Sequence, residues 1–545
     1  MISREGSRIP ADAPAVSNLA DLLARAASAS AHRVALVDAG TGRRLTWGEL
    51  DEEVDRVAAG LSAMGLVAGY RVVVCLPNRV EFVTSYLAAL RSRLVAVPVN
   101  PRGATGELVR TIADCGARTV ICDRSTVAQV RSAVGGLADA LQGADQDLQE
   151  RAFVPRVVVV DAPTFPGEST YADLARSVAK VIPTREDAEG LAVLLYTSGT
   201  SGQPRAAMLS HRALLANVEQ AAAVRPAIFT GDDVLLGVLP LFHVYGLNAV
   251  LGQVLRQMAR LVVVDGFDAE GSLDIIEGEA VTVVPVAPPV FTQWMAVADL
   301  ESRLSGVRLV LSGSAPLSSE LIDSFTQRAG VEVHQGYGLT EAAPVVSSTV
   351  CSRTPKAGSV GSALPGVSVK LVDEAGQEPA GGDAGEIHLR GGNLFSGYWP
   401  DGADGPGEDG WWPTGDVGFL DSDGDLFLVD RLKELVIVSG FNVYPSEVED
   451  VVMEVEEVTE AAVIGTEQDQ TGEAVVAYVK KSPYSSISDE QLVTSIVEHC
   501  ASRLARFKQP SAVNVVDELP HTVTGKIAKG RLRAAERRRT LGLLE

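Results

Sequence analysis

The segment Tyr196–Arg205, with the sequence YTSGTSGQPR, holds the residue types that proteins use to bind phosphate. Its hydroxyl side chains and glycines follow the apolar run LAVLL, so backbone N–H groups can converge there on phosphate oxygens. The segment lacks the Walker A pattern, and taken alone it could also be a flexible polar linker. The candidate phosphate ligands are Thr197, Ser198, Gly199, Thr200, Ser201, Gly202 and Arg205.

A second group of candidate residues lies in HQGYGLTEAAP, residues 334–344. Tyr337, between two glycines, could present a flat ring to a base. Thr340 and Glu341 place a hydroxyl beside a carboxylate. A single carboxylate can recruit Mg²⁺ when substrate phosphates complete the coordination shell. An exposed surface turn is the alternative interpretation of this segment.

A Thr-Gly-Asp turn at residues 414–416 could hold a sugar. The carboxylate of Asp416 can accept hydrogen bonds from both hydroxyls of a ribose, and Arg431 could donate to the same sugar. The alternative is an ordinary turn held by a salt bridge.

Lys526 follows a Thr-Gly turn in the segment LPHTVTGKIAKGRLR, residues 519–533. A lysine in a mobile tail can swing into a distant site, where its charge stabilises negative charge that develops on an attacked phosphate. Taken alone, it is also one lysine among several basic neighbours.

The elements that must position these residues follow from the apolar pattern. Strand-like runs alternate with helical spacing up to about residue 190, and a second such pattern follows, which predicts parallel sheets with crossover helices. Short apolar runs between Gly, Asp and Pro predict a small antiparallel β-barrel or sheet over 355–430. The predicted strands of the first two regions are 71–76, 94–100, 118–123, 156–161, 234–241, 260–265, 281–286 and 307–313.

A compact α+β unit is predicted after residue 431, with capping boxes at Ser446–Glu449 and Ser488–Gln491 that each begin a helix. The fold class is therefore α/β. A large N-terminal domain, residues 1–430, contains two α/β subdomains with parallel sheets and a small β-barrel. A small mobile α+β C-terminal domain spans residues 431–545.

Composition excludes several classes of protein. The 545 residues include 47 Lys and Arg against 70 Asp and Glu, a net charge of −23, which argues against a nucleic-acid binder. Five scattered cysteines exclude a disulfide framework, and Cys75 and Cys122 lie in apolar runs where buried thiols are expected. The N-terminal residues lack an apolar signal core, and no run reaches the roughly 18 apolar residues that span a bilayer. We therefore expect a cytoplasmic protein.

These motifs, in this order, resemble the adenylate-forming superfamily of acyl-CoA synthetases, luciferase and the adenylation domains of peptide synthetases. The resemblance runs from Leu19 to Arg533 and is closest to fatty acyl-CoA ligases. It implies an AMP-forming acid–thiol ligase that uses ATP and Mg²⁺, with CoA as co-substrate. A carboxylate first attacks the α-phosphate of ATP and releases pyrophosphate, and a thiol then displaces AMP from the acyl-adenylate.

The resemblance also implies roles for individual residues. The loop that ends at Arg205 holds the β- and γ-phosphates, Thr340 contacts the α-phosphate, and Glu341 binds Mg²⁺. Lys526 bridges the α-phosphate and the substrate carboxylate. Rotation about a hinge at Lys433 replaces it by Gly440 and Phe441, which shape the thiol tunnel. The implied adenine and ribose ligands are Gly313, Ser314, Ala315, Gly336, Tyr337, Gly338, Asp416 and Arg431.

The sequence departs from the family pattern at one point. The phosphate loop of the family usually ends in Pro-Lys-Gly, whereas Pro204 is followed here by Arg205 and Ala206. Arginine keeps the charge but has a planar fork with a different reach, and alanine lacks the freedom of glycine. The departure puts loop mobility and turnover in doubt, and it is the only support for an inactive homologue that binds a nucleotide or an acyl group.

The implied acyl pocket indicates an apolar acid. No acidic residue lies in 239–251, which disfavours an α-amino acid, because an apolar pocket would leave its charged amino group unpaired. A medium- to long-chain fatty acid is the first choice, and an aryl acid stacked on Tyr245 is the alternative. His243 could gate the pocket or act as a packing residue. The pocket residues are Val244, Tyr245, Gly246, Val345 and Val346.

Further features of the sequence concern the acceptor of the acyl group and the binding partners of the protein. Fatty acyl-AMP ligases, which load carrier proteins, have an insertion that is absent between Asp265 and Val290, so CoA is favoured over a carrier protein. The basic tail Lys529–Arg539 could contact an anionic membrane or the phosphates of CoA, or form a solvated terminal helix. The sequence leaves both a monomer and a homodimer open.

Overall fold

A computed structural model describes most of the chain. The described residues are 16–178, 187–197, 205–315, 317–373, 375–379, 383–431, 434–438, 441–468, 472–522 and 525–540. The strands are β1 Val34–Asp38, β2 Arg44–Thr46, β3 Arg71–Cys75, β4 Val95–Pro98, β5 Thr119–Asp123, β6 Arg156–Val160, β7 Ser169–Thr170, β8 Leu191–Thr197, β9 Arg205–Ser210, β10 Val234–Gly237, β11 Arg260–Val263, β12 Val283–Val286, β13 Leu309–Ser312, β14 Val333–Gly338, β15 Val345–Ser348, β16 Ser362–Ala363, β17 Val367–Val372, β18 Gly385–Gly391, β19 Trp412–Leu420, β20 Leu426–Arg431, β21 Val436–Val438, β22 Phe441–Val443, β23 Val458–Gln468, β24 Gly472–Lys481 and β25 Ala512–Val516.

Helices connect most of the parallel strands. The α-helices are α1 Asp21–Ser30, α2 Trp47–Ala63, α3 Val80–Arg91, α4 Thr105–Cys115, α5 Val127–Gly135, α6 Leu137–Ala140, α7 Gln146–Arg151, α8 Tyr171–Ala175, α9 His211–Ala222, α10 Gln253–Gln257, α11 Ala269–Glu279, α12 Pro288–Trp294, α13 Leu300–Arg303, α14 Ser319–Ala329, α15 Pro445–Met453, α16 Asp489–Arg503 and α17 Lys529–Thr540. A π-helix spans Tyr245–Gly252, and 3₁₀ turns span Thr340–Ala342 and Arg506–Lys508.

Two large sheets form the core of the N-terminal region. One has seven strands in the order β7-β6-β5-β3-β4-β8-β9, and the other has nine in the order β16-β15-β14-β13-β12-β10-β11-β1-β2. Their central strands pair in parallel, as β3 does with β4 and β5. Residues Val72–Cys75 are buried throughout, as in a parallel strand that is covered on both faces.

The assignment of strands to the two sheets differs from the order of the two sequence patterns. The second pattern begins at about residue 190, yet β8 pairs with β4 and β9 pairs with β8 in the first sheet. Conversely, β1 pairs with β11 in the second sheet. Each sheet therefore contains two strands from the other region of the chain. Two of these strands, β8 and β9, are the ones that the phosphate-loop segment connects in sequence.

The antiparallel region contains β17, β18, β19 and β20 in consecutive order, which confirms the predicted small antiparallel sheet, here a half-barrel. The C-terminal strands form a sheet in the order β22-β21-β24-β23, with β25 paired to β24. Together these elements confirm an α/β fold with a large N-terminal and a small C-terminal unit. The exact boundary at residues 430 and 431 stays a prediction.

One of the two predicted capping boxes is wrong. Helix α15 begins at Pro445, and the hydroxyl of Ser446 donates a hydrogen bond of 2.5 Å to the carbonyl of Val429 instead of capping the helix. Proline at the first helical position fixes the start of the helix two residues earlier than a Ser446 cap would. The second box is confirmed, because the Ser488 hydroxyl accepts from the Gln491 backbone and the Gln491 side chain accepts from the Ser488 backbone.

The described residues also answer two smaller predictions. Cys75 and Cys122 are fully buried free thiols, as expected. In the part of the chain that the structure describes, no helix combines the length and the apolar character needed to cross a bilayer. A cytoplasmic location stays a prediction.

Candidate active site

A cavity of about 1280 Å³ opens between the sheets. Its walls come from the ends of β8 and β9, from the β14 and β15 region, from β19, and from the turn that contains Lys526. The following predicted site residues line it: Thr197, Arg205, His243, Val244, Tyr245, Gly313, Ser314, Gly336, Tyr337, Gly338, Thr340, Glu341, Val345, Asp416 and Lys526. A space of this size exceeds what a single drug-sized ligand fills and accommodates a nucleotide together with an acid.

The base of the phosphate loop is held by a short antiparallel pair. Thr197, at the end of β8, pairs with Arg205, at the start of β9, and the Thr197 hydroxyl donates to the Arg205 carbonyl at 3.3 Å. Both residues line the cavity. The loop residues Ser198, Gly199, Thr200, Ser201 and Gly202 lie outside the described residues, and their predicted role stays a prediction.

Arg205 is engaged by two side chains that sequence reasoning missed. Its guanidinium contacts the Asp404 carboxylate at 2.7 Å and lies over the Tyr398 ring, 3.8 Å from the centroid. The Tyr398 hydroxyl donates to Oε1 of Glu341 at 2.6 Å. Burial and the neighbouring Glu341 carboxylate raise the pKa of Tyr398, so the phenol remains a donor. The candidate phosphate and metal ligands are therefore in contact through one tyrosine.

The two candidate nucleoside residues are joined directly. The hydroxyl of Tyr337, on β14, donates to Oδ2 of Asp416, on β19, at 2.5 Å, and both residues are buried. The register of the half-barrel sheet sets Asp416 opposite Arg431 on β20. The side chain of Arg431 lies outside the described part of the chain. The ring and the carboxylate that the sequence analysis assigns to a nucleoside are thus in direct contact.

A glycine turn carries Lys526 to the cavity. The Lys526 backbone N–H donates to the Thr522 hydroxyl at 3.1 Å, and the Thr522 N–H donates back to the Lys526 carbonyl at 2.7 Å. Gly525 has a φ of +82°, and a Cβ there would meet Cγ of Pro289 at 2.6 Å. Only glycine satisfies both the left-handed backbone and the close contact with α12. The small C-terminal unit thereby delivers a cation to a site built by the large one.

His243 is a neutral residue in this cavity. Burial, with a smaller contribution from the positive charge of Lys526, lowers the pKa of His243 to about 4. Its Nδ1 accepts a hydrogen bond of 3.3 Å from the Tyr245 backbone, so the neutral ring carries its proton on Nε2. His243 and Lys526 both line the cavity.

A pH dependence of stability follows from the buried His243. The unfolded ring takes up a proton near pH 6.5, whereas the folded ring takes it up only near pH 4, so the unfolded state binds more protons between these values. The free energy of unfolding therefore falls as the pH is lowered. We expect the loss between pH 7 and pH 5 to be smaller in His243→Asn, by about 1–2 kcal/mol.

Urea unfolding at the two pH values measures this difference. The exposed histidine variant His32→Asn is the control and should keep the wild-type loss. An identical loss in wild type and His243→Asn would contradict a neutral, buried His243.

The acyl end of the cavity agrees with the predicted pocket only in part. Val244, Tyr245 and Val345 line it, and the Tyr245 ring packs so closely on Gly313 that a Cβ there would meet Cε1 at 2.7 Å. Sequence reasoning missed several further lining residues, because they come from helices α9 and α10, the π-helix and a loop remote from the motifs. They are Asn217, Ala221, Ile228, Phe229, Ala249 and Gln253.

Three predicted site residues are not among those that line the cavity, and their roles stay predictions. Val346 is fully buried because it points to the opposite face of β15 from Val345. Gly246 packs its backbone on Pro240, where a Cβ would meet the carbonyl oxygen at 2.4 Å. Ala315 follows Ser314, which lines the cavity in a left-handed conformation with a φ of 75°.

The structure does not test the predicted hinge residue or the residues predicted to shape the thiol tunnel. Lys433 and Gly440 lie outside the described residues, and only the backbone of Phe441, at the start of β22, is described. Among the described residues, no group of three or more His, Cys, Asp or Glu side chains could hold a metal ion by itself.

The fold is α/β with a large N-terminal and a small C-terminal unit, and candidate residues from both line one cavity. Comparison with known proteins makes the class specific. The family model for AMP-binding enzymes matches residues 23–399, and the model for the C-terminal domain of AMP-binding enzymes matches residues 447–526. The chain therefore belongs to the AMP-binding enzyme family, and it is an AMP-forming acid–thiol ligase of the adenylate-forming type.

Individual relatives span the chain almost completely. 4-Coumarate–CoA ligase 5 of Oryza sativa subsp. japonica is 35% identical over 517 residues, which cover 92% of this chain and 91% of the relative. A long-chain-fatty-acid–CoA ligase of Salmonella typhimurium is 32% identical over 559 residues, with 97% of each chain covered. ATP-bound MatB from Rhodopseudomonas palustris superposes with a TM-score of 0.84 at 32% identity, covering 95% of this chain and 99% of MatB.

Proposed function

We propose that the protein joins a medium- to long-chain fatty acid to CoA at the expense of ATP. In the first half-reaction, a carboxylate oxygen attacks the α-phosphorus, and the bond from phosphorus to the bridging oxygen of pyrophosphate breaks. In the second, the CoA thiolate attacks the acyl carbon and AMP leaves. A carboxylate is a weak nucleophile and hydroxide a poor leaving group, so the protein must contribute positioning and charge neutralisation.

The cavity residues support a role for each part of this chemistry. Asp416 and Tyr337 would hold the adenosine, and Thr340 would contact the α-phosphate. Arg205 would neutralise charge on the outer phosphates. Lys526, carried by the C-terminal turn, would bridge the carboxylate and the α-phosphate, where its charge stabilises the transition state.

Glu341 is suited to hold Mg²⁺. Its carboxylate lines the cavity, and one oxygen is fixed by the Tyr398 hydroxyl. Because Mg²⁺ keeps several waters and binds through one or two carboxylates together with substrate phosphates, a single glutamate beside the phosphate loop fits its requirements. When bound, Mg²⁺ would neutralise phosphate charge.

The choice of a fatty acid as the substrate rests on the side chains that line the acyl end of the cavity. Its lining residues Ala221, Ile228, Phe229, Val244 and Ala249 are apolar, and the amides Asn217 and Gln253 that join them carry no charge. Burial of an unpaired charged group there would be costly, so an uncharged tail is favoured. The long-chain-fatty-acid–CoA ligase relative supports a fatty tail.

An aryl acid is the second candidate. The Tyr245 ring, which lies against Gly313 and lines the cavity, would offer an aromatic surface to the acid, and the 4-coumarate–CoA ligase relative acts on an aryl acid by its name. Offset stacking on such a ring favours an aromatic over an aliphatic tail of equal area.

CoA is the proposed acceptor. The segment between β11 and β12 holds only helix α11 in the described structure, so it has no room for the insertion of carrier-loading ligases. Lys433 would be the hinge, and Gly440 and Phe441 would border the thiol path. Contact of the basic tail with an anionic membrane is compatible with a fatty substrate, and both a monomer and a homodimer would serve this mechanism.

A substrate series on wild type and Ala249→Phe tests the acid class. The series contains saturated acids of increasing length, cinnamate and 4-coumarate, and acetate is the short control. We expect kcat/KM in wild type to rise with chain length and to fall in Ala249→Phe by at least about tenfold for the longest acids, because a phenyl group fills their space. Acetate should react equally with both enzymes. A wild-type preference for cinnamates over every saturated acid would favour the aryl candidate.

A further inference from the structure

Arg205 and Asp404 form an ion pair inside the nucleotide cavity. Their side chains meet at 2.7 Å, and both line the cavity wall. The Asp404 side chain is 70% exposed and the Arg205 side chain 37% exposed, so water reaches the pair. Exposed ion pairs contribute little to stability and exchange partners readily. A carboxylate in this position also repels the phosphates that the cavity is proposed to bind.

Tyr398 connects Arg205 to Glu341. The guanidinium lies on the face of the Tyr398 ring, and the hydroxyl at the far end of the same ring donates to the Glu341 carboxylate at 2.6 Å. A cation on an aromatic face is attracted by the ring quadrupole, and the flat guanidinium suits this stacking better than an ammonium group does. The tyrosine therefore fixes the positions of a cation and of a carboxylate together.

The backbone keeps Tyr398 in register with the phosphate loop. The Trp399 N–H donates to the Ala206 carbonyl at 2.9 Å, and the Met208 N–H donates to the Gly397 carbonyl at 3.0 Å. The segment that carries the tyrosine is thus bonded to β9, which begins at Arg205. Because of these hydrogen bonds, movement of Arg205 is coupled to movement of Tyr398.

We propose that Tyr398 is a positioning residue that holds Arg205 and Glu341 in register, and that Asp404 competes with the nucleotide phosphates for Arg205. The inference rests on the proposed function, because it assumes that the cavity binds ATP. When phosphate binds, the guanidinium stays on the ring and exchanges the carboxylate of Asp404 for phosphate oxygens. Asp404 thereby lowers the affinity for ATP and leaves the affinity for AMP unchanged, since AMP lacks the outer phosphates.

Calorimetric titration of Asp404→Asn with ATP and with AMP tests the competition. Asp404 has a φ of +54°, a conformation that asparagine tolerates well, so the substitution removes the charge without backbone strain. We expect the Kd for ATP to fall about two- to fivefold, the factor that corresponds to an exposed ion pair, and the Kd for AMP to stay constant. Glu408→Gln removes the same charge at an exposed position outside the cavity wall, and it should change neither Kd.

Two substitutions at Tyr398 separate its ring from its hydroxyl. Tyr398→Phe keeps the surface for Arg205 and frees Glu341, so ATP affinity should weaken in buffer with Mg²⁺ and match wild type in EDTA. Tyr398→Leu removes the ring as well and should weaken ATP binding by about two- to tenfold in both buffers. AMP affinity should stay at the wild-type value in both variants, which also shows that they are folded.

The outcomes are distinct. An unchanged or higher Kd for ATP in Asp404→Asn overturns the competition. Equal behaviour of Tyr398→Phe and Tyr398→Leu, or a loss of AMP affinity in parallel with ATP affinity, overturns the positioning role. Failure of the wild-type protein to bind ATP at all would instead refute the proposed function.

Discussion

Replacement of Lys526 by alanine is expected to lower the rate of adenylation by about 10²- to 10³-fold and to leave thioester formation intact. Lys526 lines the same cavity as His243, and in the proposed mechanism its charge acts where the carboxylate meets the α-phosphate. The second half-reaction starts from an acyl-adenylate that already exists and does not need this charge. Acid-dependent exchange of pyrophosphate into ATP measures the first step, and CoA-dependent consumption of synthetic acyl-adenylate measures the second.

Arg531→Ala provides the control, because it removes an exposed cation from the same terminal segment. It should leave both rates at the wild-type value. An equal fall of both half-reactions in Lys526→Ala would mean that the lysine acts on folding or on nucleotide binding in general. An unaffected exchange rate would remove Lys526 from the catalytic machinery.

Asp416→Asn is expected to weaken both half-reactions, in contrast to the lysine variant. The Asp416 carboxylate, buried and bonded to the Tyr337 hydroxyl, would carry the ribose in the ATP complex and in the acyl-adenylate complex alike. Loss of the charge from its hydrogen bonds should raise the KM for ATP and for acyl-adenylate by about ten- to a hundredfold. Asparagine retains an oxygen for Tyr337, so the fold should persist.

Steady-state kinetics of each half-reaction measure the two KM values, and thermal unfolding reports on the fold. Asp383→Asn, an exposed carboxylate just before β18, serves as the matched control. A rise of KM in only one half-reaction would show that Asp416 does not hold the part of the nucleotide that both steps share.

Local patterns predicted most of the elements, but long-range pairing decided which sheet each one joined. The apolar run before Thr197 reads correctly as a strand, yet no periodicity indicates that β8 pairs with β4, which precedes it by about a hundred residues of chain. The helix predicted to begin after Ser446 shows a limit of local patterns themselves. Residues 446–449 satisfy the capping-box pattern, but the neighbouring Pro445 sets the start of the helix.

The candidate site was predictable where a motif carries its own chemistry. Tyr337 and Glu341 share one segment, Asp416 and Lys526 come from two others, and all four residues line one cavity. Their roles stay predictions.

The partners of Arg205 could not be predicted. Tyr398 lies in a Gly-Tyr-Trp segment without a motif, and Asp404 lines the cavity in a left-handed backbone conformation that no sequence pattern indicated. Arginine replaces the lysine of the family pattern in the phosphate loop, and only the structure offers a physical reason for this. The planar guanidinium of Arg205 stacks on the Tyr398 ring.

The central claim is that one cavity forms an acyl-adenylate and passes the acyl group to CoA. Its most direct test incubates the purified protein with MgATP, CoA and a mixed panel of fatty, aryl and amino acids, followed by mass spectrometry of the products. We predict acyl-CoA from a window of fatty chain lengths, with AMP and pyrophosphate in equal amounts. Acyl-AMP that accumulates without a thioester would contradict CoA as the acceptor, and the absence of any product from a protein that still binds ATP would contradict the account as a whole.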